Sequence, residues 1–257
     1  MSRAAVGPGV GPKAGWGSGP SPAPVPGTGP APGTGPARGL FVTFEGLDDT
    51  GKSTQARRLA AYLRRMGLPV VHTREPGGTP AGRRLRSVVL GRAGEELVPM
   101  AELLALAADR AQHVARVVRP ALERGCVVVC ERYADSTVAY QAFGLGVERR
   151  LVEQVNALAT GGLVPDLTFL LDRPEDRALG RPQAPGDRIE GRGQEFFRRV
   201  RQGYLALAAE EPRRIVVLQA VGPSRAELHR QVVAAFMERL GERLAALVAR
   251  GPGRGAG

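Results

Sequence analysis

Five short apolar runs recur along the chain, each rich in β-branched or aromatic residues: "LFVTFE" (40–45), "PVVHT" (69–73), "CVVVCE" (126–131), "DLTFLLD" (166–172) and "RIVVLQ" (214–219). They are apolar without strict alternation, which predicts strands covered on both faces, as in a parallel sheet. The segments between them carry a helical period. In "KSTQARRLAAYLRRMG", Leu59, Tyr62, Leu63 and Met66 share one helix face, and Gly67 stops it. Helical patterns also fill 80–90 and 99–124, closing at Gly125, then parts of the stretch between the third and fourth strands, about 194 to 210, and a last helix to about 249. Strands alternating with helices predict an α/β fold with a central parallel five-stranded sheet flanked by helices.

Three segments break this pattern. Residues 1–39 are dense in proline and glycine and hold only Arg3, Lys13 and Arg38 as charges, so no apolar burial offsets the entropy of ordering them. They are expected to be disordered, and they have neither the apolar core of a signal peptide nor the Ser- and Arg-rich make-up of a transit peptide. Residues 174–193 are polar and interrupted by Gly and Pro, and 250–257 form a second, shorter loose tail. One domain, 40–249, accounts for the rest. No apolar run approaches the roughly 20 residues of a membrane span.

The net charge is +11, of which the first 39 residues supply +3. The remaining excess is mostly arginine, whose forked donors suit phosphate groups. No basic stripe interleaved with aromatics marks a single-strand nucleic-acid groove, and anionic small substrates explain the charge as well. Cys126 and Cys130 would lie roughly 13 Å apart on one strand at ~3.3 Å per residue, too far for a disulfide. As buried thiols without metal-ligating neighbours they suit a reducing cytoplasm.

The chemistry starts at "FEGLDDTGKSTQ" (44–55), where Gly46 to Ser53 reads G-x-x-x-x-G-K-S between a predicted strand and a predicted helix. In that context a glycine-rich turn offers successive backbone N–H groups, and a helix N-terminus, to phosphate oxygens. Gly46, Leu47, Asp48, Asp49, Thr50, Gly51, Lys52, Ser53 and Thr54 are the expected ATP-binding residues. Lys52 would neutralise the β- and γ-phosphates, and the Ser53 hydroxyl would ligate Mg2+. Glu131, ending the third strand, is the candidate acid of the magnesium shell. Asp172, ending the fourth, reads as a helix cap or a lid anchor rather than a catalyst.

Further segments follow in order: "TREPGGTP" (73–80), "AADRAQH" (107–113), "ERYADSTVAYQ" (131–141), "PDLTFLLD" (165–172) and "DRIE" (187–190). With the glycine loop they make the core, residues 40–240, resemble the thymidylate kinase family. The resemblance implies a P-loop nucleotide kinase fold and transfer of phosphate from ATP to dTMP with magnesium, by a homodimer that needs neither nucleic acid nor membrane. It implies that Arg132 holds the acceptor phosphate, that Arg110 contacts the pyrimidine, and that Thr137 and Tyr140 line the base and the 2′ face of the sugar. Asp48, Arg74, Glu75, Leu106, Ser136 and Gln141 complete the expected dTMP site. The polar 174–193 segment resembles a nucleotide-kinase lid, with Arg177, Arg181 and above all Arg188 as candidate transition-state cations. Two alternatives are a paralogue acting on another deoxynucleoside monophosphate and a P-loop ATP switch or nucleic-acid-binding protein.

Four places depart from the family pattern, one of them the lid, which carries "RPQAP" where a more helical, Arg-rich stretch is expected. Leu106 stands where a phenylalanine usually stacks on thymine, and Glu131 where aspartate usually precedes Arg-Tyr. Asp49 stands where bacterial members commonly have glycine and eukaryotic ones a catalytic arginine. The resemblance is therefore to the bacterial type, which draws arginine from the lid. Two like charges 4 Å apart at an effective dielectric near 20 repel by about 4 kcal/mol, so Asp49 is expected to point away from the ATP phosphates or to pair with Arg181 or Arg188.

Overall fold

All five apolar runs form strands in the computed structural model, which describes residues 39–91, 96–173 and 188–250. They are β1 (Phe41–Glu45), β2 (Val70–Arg74), β3 (Val127–Glu131), β4 (Leu167–Asp172) and β5 (Ile215–Gln219). The sheet is parallel throughout, in the order β2-β3-β1-β4-β5. The chain leaves β1 toward one edge and later crosses to the other, so β1 marks a switch point. Crevices at the C-terminal ends of strands beside such a point are where open α/β sheets bind ligands.

Helices α1 (Lys52–Arg65), α2 (Pro80–Leu90) and α3 (Pro99–His113) match their predicted periods. The helix expected to continue unbroken to 124 does not. A π-helical turn over Val114–Val118 separates α3 from α4 (Arg119–Glu123). Pro120 has no N–H for the carbonyl four residues earlier, and the Arg119 N–H reaches back five residues to Val114 O. A second π-helical stretch, Val138–Gly144, continues the short α5 (Ala134–Thr137). Then come α6 (Arg149–Thr160), a 3-10 turn at Glu190–Arg192, α7 (Gly193–Glu210) and α8 (Arg225–Arg250).

Side chains alternate across the sheet. Val42 and Phe44 pack with Leu59 and Leu63 of α1 and with Val232 and Phe236 of α8. On the other face Phe41 and Val128 meet Val118 and Leu122, while Leu170 meets the second π-helical stretch and α7. Cys126 and Cys130 are buried free thiols. No described helix is long and apolar enough to cross a membrane. Apart from Gly39, the N-terminal segment expected to be disordered lies outside the described residues, as do residues 251–257 and the lid positions Arg177 and Arg181.

Candidate active site

The glycine loop runs from β1 into α1 as predicted. Gly46 adopts φ 128°, and a Cβ there would sit 2.4 Å from the Leu171 carbonyl oxygen, so glycine is required twice over. Gly51, at φ 90°, caps α1 and presents the N-terminal amides of Lys52 and Ser53. Thr50 Oγ1 donates to Leu47 O at 2.9 Å and Lys52 Nζ to the same oxygen at 2.5 Å, which ties the loop into a ring. Burial, and then the nearby Arg132, pushes the Lys52 ammonium down to about 7 against the pull of Asp48 at 3.9 Å.

The two loop acids separate. Asp49 is exposed at φ 57°, the left-handed region that Asp tolerates better than most residues. Its expected partner Arg188 bonds elsewhere, to Val89 O at 2.8 Å and Glu102 at 3.5 Å, and Arg181 lies outside the described residues. Asp48 faces the opposite side and accepts from Arg132 Nη2 at 2.7 Å. Burial works to raise its carboxyl, but Arg132 and Lys52 override it and hold it at about 2.

Beyond Lys52, Ser53 Oγ donates to Glu131, whose other carboxylate oxygen meets His72 Nε2 at 2.9 Å. Burial would raise the Glu131 carboxyl, and these two bonds win and lower it. Among the described residues no cluster of three His, Cys, Asp or Glu side chains could hold a metal by itself. Magnesium does not need one: it takes one or two protein oxygens and fills its octahedron with phosphate oxygens and water. A hydroxyl and a carboxylate at the mouth of a phosphate loop fit that ion.

Across from the loop lies an open cleft. Of the expected acceptor residues, Asp48, Glu75, Leu106, Arg110, Arg132, Ser136, Thr137, Tyr140 and Gln141 all line it. Arg74 does not; it is exposed at the end of β2, close enough to Glu131 to lower its pKa. Arg132 is the central cation. Its guanidinium reaches Ser136 Oγ at 3.3 Å, Tyr204 OH at 3.2 Å and Tyr140 OH at 3.2 Å, and lies 5.1 Å from the Tyr140 ring centroid. Arg110 donates to Glu75 (2.8 Å), Asn156 (2.6 Å) and Tyr133 O (3.1 Å), which leaves two of a guanidinium's five N–H groups for a ligand. Glu75 is clamped from its other side by His113 Nδ1 at 2.8 Å, and His113 in turn meets Thr73 at 2.7 Å.

Sequence reading missed several residues here. Arg86, Val89 and Leu90 of α2, Asp109 of α3 and Ile189 also line the cleft. Helical spacing held the signal for the first three, since 86, 89 and 90 fall on one face. Asp109 Oδ1 accepts from Gly77 N at 3.0 Å, and burial and then Glu75 raise its carboxyl. Asp172 holds the body of α7 instead of the lid, accepting a bidentate pair from Arg201 at 2.7 and 2.8 Å.

A thymidylate kinase family model matches residues 44–232, most of the chain. The chain belongs to the thymidylate kinase family. The thymidylate kinase of Pelotomaculum thermopropionicum is 50% identical over 208 residues, 79% of this chain and 95% of that relative. That of Deinococcus radiodurans is 50% identical over 204 residues, 79% of this chain and 98% of its own. The crystal structure of thymidylate kinase from Ehrlichia chaffeensis superimposes with a TM-score of 0.64 at 32% identity, covering 77% of this chain and 99% of that one. This family member thus sets Asp48 of its phosphate loop directly against Arg132 of the cleft.

Proposed function

We propose that this protein transfers the γ-phosphoryl group of ATP to dTMP, forming dTDP for DNA-precursor synthesis. The observation that carries the reading is the pairing of the loop's Asp48 with Arg132, because it sets a phosphate-binding loop and an acceptor cation side by side. Phosphoryl transfer needs positioning and cancellation of charge more than covalent help. In this reading the loop amides and Lys52 hold the donor phosphates. Arg132 exchanges part of its internal bonding for the acceptor phosphate, with Arg86 as a second cation from α2. Asp48 then accepts from the sugar 3′-hydroxyl. Arg110 and Thr137 meet the base, and the Tyr140 ring covers the 2′ face, where a ribose hydroxyl would clash. Leu106 gives the base an aliphatic floor instead of an aromatic one.

Ser53 and the Glu131 carboxylate would hold magnesium, and that ion would supply positive charge to offset the charge on the donor phosphates. Arg188 and Arg181 are the lid cations that would close over the transferred group, and Arg188 has to leave Val89 O and Glu102 to do so. We further infer a homodimer, and a cytoplasmic setting that suits the two free buried thiols. A coupled assay with ATP and magnesium across dTMP, dUMP, dCMP and dGMP tests the reading: dTMP is expected to be preferred, and equal turnover of all four would overturn it.

A further inference from the structure

Glu102 of α3 is wholly buried, yet it takes no part in the roles assigned above. Its carboxylate collects donors from three places in the chain. Gln141 Nε2 reaches Oε1 at 2.9 Å; Arg192 reaches Oε1 at 3.1 Å and Oε2 at 2.6 Å; Arg188 reaches Oε2 at 3.5 Å. Arg192 lies at the trailing end of the lid segment, whereas Gln141 sits on the π-helical stretch and lines the acceptor cleft. One buried acid therefore touches both the lid's trailing end and the wall of the base site.

An ionised carboxylate only accepts hydrogen bonds. Facing Glu102, the Gln141 amide has to present its NH2 group, because the flipped amide would set oxygen against oxygen. The amide oxygen is then turned the other way. Gln141 Oε1 is buried and has no hydrogen-bond partner among the described residues. A buried acceptor left without a donor is costly, and it rewards a ligand that brings an N–H to it. Thymine and uracil carry a hydrogen on N3; cytosine carries a lone pair there.

We propose that Glu102 is a positioning residue for base selection: by locking the Gln141 amide with its oxygen toward the base, it admits a pyrimidine with a donor at N3 and rejects one with an acceptor. This rests on the dTMP reading above. Arg192 holds both carboxylate oxygens from the lid side, so the acid cannot swing away and release the amide even when Arg188 leaves it. Glu102 itself touches no substrate.

The substitution Glu102→Gln supplies the test. A glutamine at 102 gives its single oxygen to Arg192 and turns its NH2 toward Gln141, which then flips and offers its own NH2 to the base. The dTMP:dCMP ratio of kcat/KM is expected to fall on the order of tenfold or more in this variant, the scale of one mismatched buried hydrogen bond. The dTMP:dUMP ratio is expected to hold, because both bases keep their N3–H; a general loosening of the site would move both ratios. An unchanged dTMP:dCMP ratio alongside a wild-type preference for dTMP overturns the inference alone. A wild-type protein without that preference overturns the functional reading and the inference with it. Should the variant fail to fold, the Gln141 side-chain amide NMR signal of the wild-type protein decides, assigned by its loss in Q141L. Slow solvent exchange that persists with dTMP bound supports the lock; fast exchange in the free protein overturns it.

Discussion

Arg132 occupies the left-handed backbone region at φ 64°, where a bulky side chain is strained. Such strain persists where the surroundings over-determine it, and here they do: Asp48, Ser136, Tyr140 and Tyr204 all accept from one guanidinium. The motif names Arg132, but it cannot name Tyr204, which lies 72 residues further along the chain. Behind them Glu45, wholly buried, accepts from Tyr133 N at 2.7 Å, Ser136 Oγ at 2.5 Å and Tyr204 OH at 3.1 Å. Burial, then Asp135, pushes its carboxyl from the ordinary 4.5 up to about 7, against Ser136 and Arg132. The folded state therefore holds a proton that the unfolded chain releases near 4.5. Between those values the folded state binds more protons, so stability falls as pH rises, by up to about 1.4 kcal/mol per unit, and levels off above the folded value. Melting temperatures measured from pH 4.5 to 8 are expected to drop along this limb in the wild type and to drop less in E45Q. Identical slopes would show that Glu45 does not titrate in this way.

At the scale of elements, the strands were legible because a parallel sheet buried on both faces leaves continuous apolar runs, and all five fall within a residue of their predicted ends. The π-helical stretches were not, since a five-residue hydrogen-bond step changes no residue type. Pro120 signals the first only after the fact, and Val138–Gly144 carries no proline at all. Yet this second stretch carries Tyr140 and Gln141 into the cleft, so the step that hides from sequence is the one that aims the site. Its end is held by close packing on α7: a Cβ on Gly144 would lie 2.6 Å from Phe196 Cε2 and 2.9 Å from Val200 Cγ2. Both neighbours are buried and have little room to move. Gly144→Ala is expected to cost about 1–3 kcal/mol of overpacking strain, read in denaturant unfolding, and to raise KM for dTMP because Gln141 rides on the same segment. A variant of wild-type stability would mean that α7 yields freely.

For the whole molecule, the switch point at β1 places the donor loop, Glu131 and Arg132 at the C-terminal ends of adjacent strands, an order that strand–helix alternation alone does not fix. What alternation cannot tell is which helical faces stay uncovered. Leu104 of α3 and Leu158 of α6 are 53% and 71% exposed, with Val98 and Met100 also open at the start of α3, and α3 packs against α6. Large aliphatic side chains gathered on neighbouring helices are costly to leave in water, and a C2 pairing of identical surfaces is the commonest way to cover them. A second copy of this chain is the occupant expected there. Sedimentation of the wild type should then report twice the 27.2 kDa of the chain. The pair of changes Leu104→Glu and Leu158→Glu should leave a folded monomer, because buried like charges would oppose one another across the two-fold axis. Both helices reach the acceptor side of the molecule: Leu106, Asp109 and Arg110 lie on α3, and Asn156 of α6 bonds Arg110. The monomeric variant is therefore expected to lose dTMP affinity more than ATP affinity, seen as a higher KM for dTMP alone. A wild-type chain that sediments as a monomer at micromolar concentration would remove the dimer and this dependence together.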